Sequence, residues 1–182
     1  MSRYDNIPAL DAKDDEPHAI SVVVETPRHT RNKYAFNPKL DAFELRHTLR
    51  LGMEWPCDFG FVPQTLNDDG DPVDVALFLD QHAFPGCVVR ARLLGAIGME
   101  QDGENNDRLV AASLPMSGTG LFTDDVRNLK DWPKKVVRDL EDFLDLYERE
   151  EGKKIKRTGV CQAKKALRLV HRGMKAWEKK SH

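Results

Sequence analysis

Four aspartates, Asp68, Asp69, Asp71 and Asp74, fall within the seven positions of "DDGDPVD". Like charges this close repel one another, and partial burial adds to the cost of ionising them. Hard carboxylate oxygens grouped in this way suit Mg2+, which takes a few protein carboxylates and keeps several waters. A carboxylate not used as a ligand could take a proton from metal-bound water. Two other readings compete for the stretch. D-G and D-P are turn dipeptides, so it could be an exposed hairpin turn. A calcium loop fails on spacing: counted from Asn67, Pro72 falls where the sharp-turn glycine belongs and Phe78 where the bidentate Glu belongs. The apolar run "VALFL" that follows favours Asp69, Asp71 and Asp74 at the entrance of a buried strand, with Pro72 stiffening the backbone between them.

The elements that must position this cluster come in two groups. "ISVVVET" (Ile20 to Thr26) is β-branched and bounded by Pro27, a strand signal. "KYAF" (Lys33 to Phe36) and "AFEL" (Ala42 to Leu45) are short strand candidates around a turn-like "NPKLD". "EWPCDFGFVPQTL", rich in aromatics and glycine, leads into the aspartates; "DVALFL", "CVVRARLLGAI" (Cys87 to Ile97) and "RLVAASL" (Arg108 to Leu114) follow. From Asp131 the period changes. Val136, Val137, Leu140, Phe143, Leu144 and Tyr147 recur at helical steps, with Asp131 as N-cap, Pro133 in the first turn and Gly152 as the C′ residue. A second helix is expected over Gln162 to Lys179, with the Trp177 face used for packing. The charged "KKIKR" (Lys153 to Arg157) between the helices reads as a solvated segment. Strands first and helices last predicts an α+β fold, a mostly antiparallel sheet or small barrel covered by helices. Residues 1–182 are expected to form a single domain, with 1–19 as an irregular arm.

Bulk properties exclude several classes. Charged residues make up 32% and hydrophobic residues 40% of 182, a globular rather than a disordered balance. A net charge of −2 argues against nucleic acid or an anionic membrane as partner. The longest apolar run, Val75 to Leu79, is far too short to span a bilayer. The acidic, proline-broken first twenty residues read as neither signal nor transit peptide. Cys57, Cys87 and Cys161 lack any CxxC spacing and read as reduced thiols of a cytoplasmic protein. His18, His29, His82 and His171 share no metal-ligand spacing.

"DGDPVDV" is similar to the signature of the soluble family I inorganic pyrophosphatases, and the likeness extends from about Ile20 to the C-terminal helix. "VVVETPRHTRNKYAF", "EWPCDFGFVPQTLNDDGDPVDV", "RARLLGAIGM", "RLVA" and the helix ending in Tyr147 fall in that family's order. The resemblance implies a five-stranded OB-like β-barrel with flanking helices, mainly C-terminal, in a homo-oligomer, usually a hexamer. It implies Mg2+-dependent hydrolysis of pyrophosphate or a related phosphoanhydride by two-metal activation of water. Asp69 and Asp74 would bind metal and Asp71 would accept the proton; Glu25, Lys33 and Tyr147 would line the site.

The chain also departs from the family's pattern. Ala35 stands at a Glu position, His47 at a phosphate-binding Arg, and Trp55 and Phe59 at two site tyrosines with Asp58 at the Asn between them. Gln101 and Asn106 fall at two metal-binding Asp positions, with Asp102 and Asp107 one residue further on. Arg108 falls at a phosphate-binding Lys, and Glu148 at a second one. Asn106 could still offer metal a neutral carbonyl oxygen, and His47 and Arg108 could still face substrate. A retained fold and base are expected, with weakened turnover. A non-catalytic homologue that binds metal or a phosphorylated ligand is the alternative.

Overall fold

The computed structural model describes residues 2–11, 16–114 and 126–181. Nine strands and two helices follow in order: β1 (Ala19–Thr26), β2 (Asn32–Asn37), β3 (Ala42–Thr48), β4 (Asp58–Val62), β5 (Val73–Phe78), β6 (Val88–Gln101), β7 (Glu104–Asn105), β8 (Arg108–Ser113), α1 (Lys134–Glu150), β9 (Ile155–Gln162) and α2 (Ala163–Ser181). Five strands run β1-β4-β5-β8-β6, and β6 pairs back onto β1, closing a barrel. The expected α+β class and barrel are therefore present. Pairing is antiparallel except between β5 and β8.

Alternation along the strands sorts the core. Ile20, Val22, Val24, Val73, Val75, Leu77 and Leu109 gather on one side, where Ala166 and Val170 of α2 join them. Ala76, Leu94, Val110 and Ala112 gather on the other, beneath Leu140 and Leu144 of α1. Each helix thus buries a stripe at three- and four-residue spacing. Close packing of β4 on β1 depends on Gly60, because a Cβ there would lie 2.0 Å from the Val23 carbonyl oxygen. The hairpin β2–β3 stands outside the barrel sheet. Its Phe36 and Phe43 close on Tyr4 of the N-terminal arm, and Phe36 also stacks on Phe61.

Some local expectations need correction. "KKIKR" begins β9, which pairs with β6 from Gly95 to Gln101 instead of lying free. The aromatic stretch contains β4, and β6 runs four residues beyond Ile97. Pro133, not Asp131, precedes the first turn of α1. Asp131 ends a short 3-10 turn, where its carboxylate accepts the Asn128 N–H at 2.8 Å. Gly152 does follow the helix with φ +81°, the left-handed conformation expected of a C′ residue.

Candidate active site

Six elements bring side chains around one pocket, about 400 Å³ of open space that is partly continuous with solvent. Two bulges help to aim them. The β1–β4 register shifts between Val24 and Thr26, and the β2–β3 register shifts between Lys33 and Tyr34. Such irregularities re-aim side chains at the end of a ladder, and here Glu25 and Lys33 both line the pocket. Thr26 Oγ1 ties the two strands together, donating to the Tyr34 carbonyl at 3.0 Å and accepting the Tyr34 N–H at 2.9 Å.

Asp74 and Arg108 arrive by strand pairing. Val75 and Leu109 are partners in the parallel β5–β8 ladder, so the residues just before them lie side by side. Arg108 Nη1 reaches Asp74 Oδ2 at 2.8 Å. The last turns of α1 add Tyr147 and Glu148. Tyr147 accepts a hydrogen bond from Lys33 Nζ at its phenol oxygen. Trp55 and Phe143 pack on its ring, with Trp55 5.0 Å away between centroids, and Phe59 meets both of them.

The inner wall is a chain of paired polar groups. Glu148, 2% exposed, accepts a hydrogen bond from Arg108 Nη2 at 3.0 Å through Oε1. Lys153 Nζ lies 3.1 Å from Oε2, in an orientation that makes no hydrogen bond. Arg108 also donates to the Asn106 side-chain oxygen, and Asn106 Nδ2 donates to Gln101 Oε1 at 2.8 Å. The family resemblance put Arg108 and Asn106 among the ligand-facing groups; the structure engages both in this network. Glu148, which looked like a reversed charge facing the ligand, is Arg108's partner. No local signal reveals a pair 40 residues apart in the chain.

Electrostatics follow from burial. The Glu25 carboxyl sits deep enough that burial pushes its pKa up to about 8, helped by Asp74 and Asp71 and opposed by the Phe36 N–H and Lys33. Burial likewise raises Asp74, against the pull of Arg108 and Lys33, with Asp69 and Glu148 adding to the rise. Burial works against the Arg108 charge, but Asp74 and Glu148 outweigh it and hold the group protonated. The Tyr147 phenol is raised by burial and then by Glu148, so it stays a hydrogen-bond donor.

The other nominated residues lie around this core. Asp69 and Asp71 are exposed in the turn before β5, where the Asp71 N–H donates to Asp69 Oδ1 at 3.0 Å. His47 pairs with Lys33 across β2–β3, stacks on Tyr147 at 5.8 Å, and approaches Glu151 at 3.2 Å through Nδ1. Asp58, missed as a structural residue by sequence, is 1% exposed and clamps two loops by accepting the Arg28 and Ala83 N–H groups at 2.6 and 2.8 Å.

Among the described residues, no three or more His, Cys, Asp or Glu side chains converge closely enough to cage a metal. The donor chemistry nevertheless suits one hard cation at the rim. Asp69 and Asp71 are exposed, and 37% of the Asp74 side chain stays accessible. The inner side fits a second ion poorly, because Arg108 already faces both Asp74 and the Asn106 carbonyl.

Residues 22–178 match the family model described as inorganic pyrophosphatase. The chain is 31% identical over 163 residues to an inorganic pyrophosphatase of Haloferax volcanii, covering 89% of this chain and 90% of that protein. It is 33% identical over 155 residues to one of Halalkalibacterium halodurans, covering 85% and 93% respectively. The crystal structure of inorganic pyrophosphatase from Thermus thermophilus superposes with a TM-score of 0.81 at 29% identity, over 95% of this chain and 99% of that one.

Proposed function

The chain belongs to the inorganic pyrophosphatase family, and from that premise we propose that it hydrolyses pyrophosphate to two phosphates in a Mg2+-dependent reaction. The observation that carries the reading is the pocket lined by Glu25, Lys33, Asp74, Arg108 and Tyr147, with exposed Asp69 and Asp71 near enough for their charges to act on Asp74 and Glu25. Asp69, Asp71 and Asp74 would hold the metal. Asn106 could add its side-chain oxygen, which keeps a second lone pair beyond the one Arg108 uses. When bound, Mg2+, as a pair in the form the resemblance implies, supplies a more acidic water and positive charge against phosphoryl oxygens.

The chain's own groups have distinct tasks in this reading. Asp71, exposed in the turn before β5, accepts the proton of the attacking water at its carboxylate. Lys33 and the Tyr147 hydroxyl, joined by their hydrogen bond, present two donors to one phosphoryl group. His47 stacks over Tyr147 and adds positive charge when protonated. Glu25 holds the β2 backbone at Phe36, 2.7 Å from that N–H, and so fixes the strand that carries Lys33. Positioning and fixed charge do most of the work in phosphoryl transfer. The free cysteines support a cytoplasmic location. A homo-oligomer, with the hexamer as the form the resemblance implies, completes the reading.

A phosphate-release assay on pyrophosphate across a Mg2+ series tests the function. Release that rises with Mg2+ and collapses in Asp71→Asn is the expected result. A parent protein that releases no phosphate from pyrophosphate at any Mg2+ concentration would overturn it, and cleavage of another phosphoanhydride alone would move the substrate.

A further inference from the structure

Arg108 is the most deeply set cation of the pocket, its side chain only 10% exposed. A guanidinium is costly to bury unless its donors are met, and these are met on two sides. Nη1 faces Asp74 Oδ2 at 2.8 Å together with the Asn106 side-chain oxygen, and Nη2 faces Glu148 Oε1 at 3.0 Å. The planar fork is thereby pinned at both ends, a hold that a flexible ammonium cannot reproduce.

The charges around it can be counted. Within the pocket, Asp74 and Glu148 meet Arg108 directly, Lys33 lies close enough to act on both Asp74 and Glu25, Glu25 also accepts the Phe36 N–H, and Lys153 approaches Glu148 from behind. At the rim, Asp68 is 4.0 Å from Arg172, and among the described residues no basic side chain pairs with Asp69 or Asp71. The carboxylates left without a protein cation therefore number two, the complement of one divalent ion.

We propose that the Arg108 guanidinium, held in place by Glu148, is a fixed internal cation that takes over the part of one metal ion. The ligand-free protein then binds one divalent ion per chain, at Asp69, Asp71 and the accessible edge of Asp74. The inference rests on the hydrolase reading for its anionic substrate, but the division of charge is measurable without substrate. Unlike a metal, this cation survives chelation and dilution. It also competes with any ion that approaches Asp74. Glu148 acts as a positioning residue: without it, Arg108 remains charged but loses one of its two anchors.

Counting bound Mn2+ by electron paramagnetic resonance, with pyrophosphate absent, tests the proposal. The parent protein is expected to bind one ion. Arg108→Gln is expected to bind Mn2+ about tenfold tighter or to gain a second ion, because a unit positive charge a few ångströms away is removed. Glu148→Gln, which removes a negative charge and keeps the guanidinium, is expected to weaken binding, and Arg108→Lys to restore one ion. A merely structural pair would shift all three variants in one direction. If Arg108→Gln alone does not fold, the Arg108→Gln/Glu148→Gln double variant carries the test against Glu148→Gln alone, from which it differs only by the guanidinium, and it is expected to bind Mn2+ tighter than that single variant. Two ions on the parent, an affinity within about twofold of the parent for the Gln variants, or no Mn2+ binding at all overturns the proposal. Phosphate release measured alongside separates the two readings. Turnover with two ions bound removes the internal cation and leaves the hydrolase; one ion with the tightened variant but no turnover does the reverse.

Discussion

Beside the pocket, Asp69 and Asp71 stand exposed in a turn, and no basic side chain among the described residues answers them. The turn is closed by the Asn67 N–H to Asp71 and Gly70 N–H to Asn67 backbone bonds and by the Asp71 N–H to the Asp69 carboxylate. A few residues inward, Asp74, Arg108, Asn106, Gln101 and Glu148 form a chain in which each group's partner belongs to the protein. The same chemical groups are used in both places, with opposite consequences. Charge left unanswered is available for a ligand, whereas charge answered internally contributes to the fold and fixes the shape the ligand meets. Removing a rim group should therefore change activity and spare stability, while removing a wall group should do both.

The largest separation is expected from Asp71→Asn. Loss of the proposed general base should cut phosphate release by about 10²–10⁴-fold, with the urea unfolding midpoint close to the parent's. Glu148→Ala should give the opposite balance. It leaves Arg108 with a lost buried partner, and breaking a buried pair costs about 3–5 kcal/mol, read as a lower urea midpoint at unchanged slope. Tyr147→Phe lies between, touching both regions. It removes the acceptor of the Lys33 hydrogen bond and one donor to substrate, so turnover should fall by about 10²-fold with KM little changed.

A smaller effect is expected from pH. Without metal, the Glu25 carboxyl keeps its proton up to about pH 8 in the folded chain, against 4.5 for its ordinary value. Its stabilisation is thus fully present below the ordinary value and is lost as pH rises to about 8. The slope should reach about 1.4 kcal/mol per pH unit at most. Unfolding measured from acid to mildly alkaline pH should show a shallower decline in Glu25→Gln than in the parent; parallel curves would remove Glu25 from the account. The smallest effect is a stability change within about 0.5 kcal/mol for Asp69→Ala, as for surface substitutions generally. A loss as large as that of Glu148→Ala would erase the distinction between rim and wall.

The same divide governs what could be read from sequence. β1 and β5 announce themselves through β-branched apolar runs because most of their positions are buried, and α1 through helical spacing because one face of it is. β9 does not: most of "IKRTGVCQ" is exposed, and the strand exists through its hydrogen bonds to β6 rather than through an apolar pattern of its own. Asp131 was a reasonable cap by residue type, but Pro133 already fixes the helix entry two residues later. In the site, the aspartates of the rim are neighbours in sequence and so are visible together. The wall is assembled from β5, β8 and α1, and a single Glu in a helix says nothing of an Arg 40 residues earlier.

The parallel pairing of β5 with β8 also carries a consequence for how the chain finds its fold. Asp74 and Arg108 precede the paired residues Val75 and Leu109, so their attraction exists in one alignment of the two strands only. A slip of β8 by one residue would turn Arg108 toward the apolar side occupied by Val75 and Leu77 and would point Leu109 at the pocket. The ion pair therefore works as a tooth that engages at one notch. A misaligned barrel lacks it and leaves Arg108 buried without Asp74.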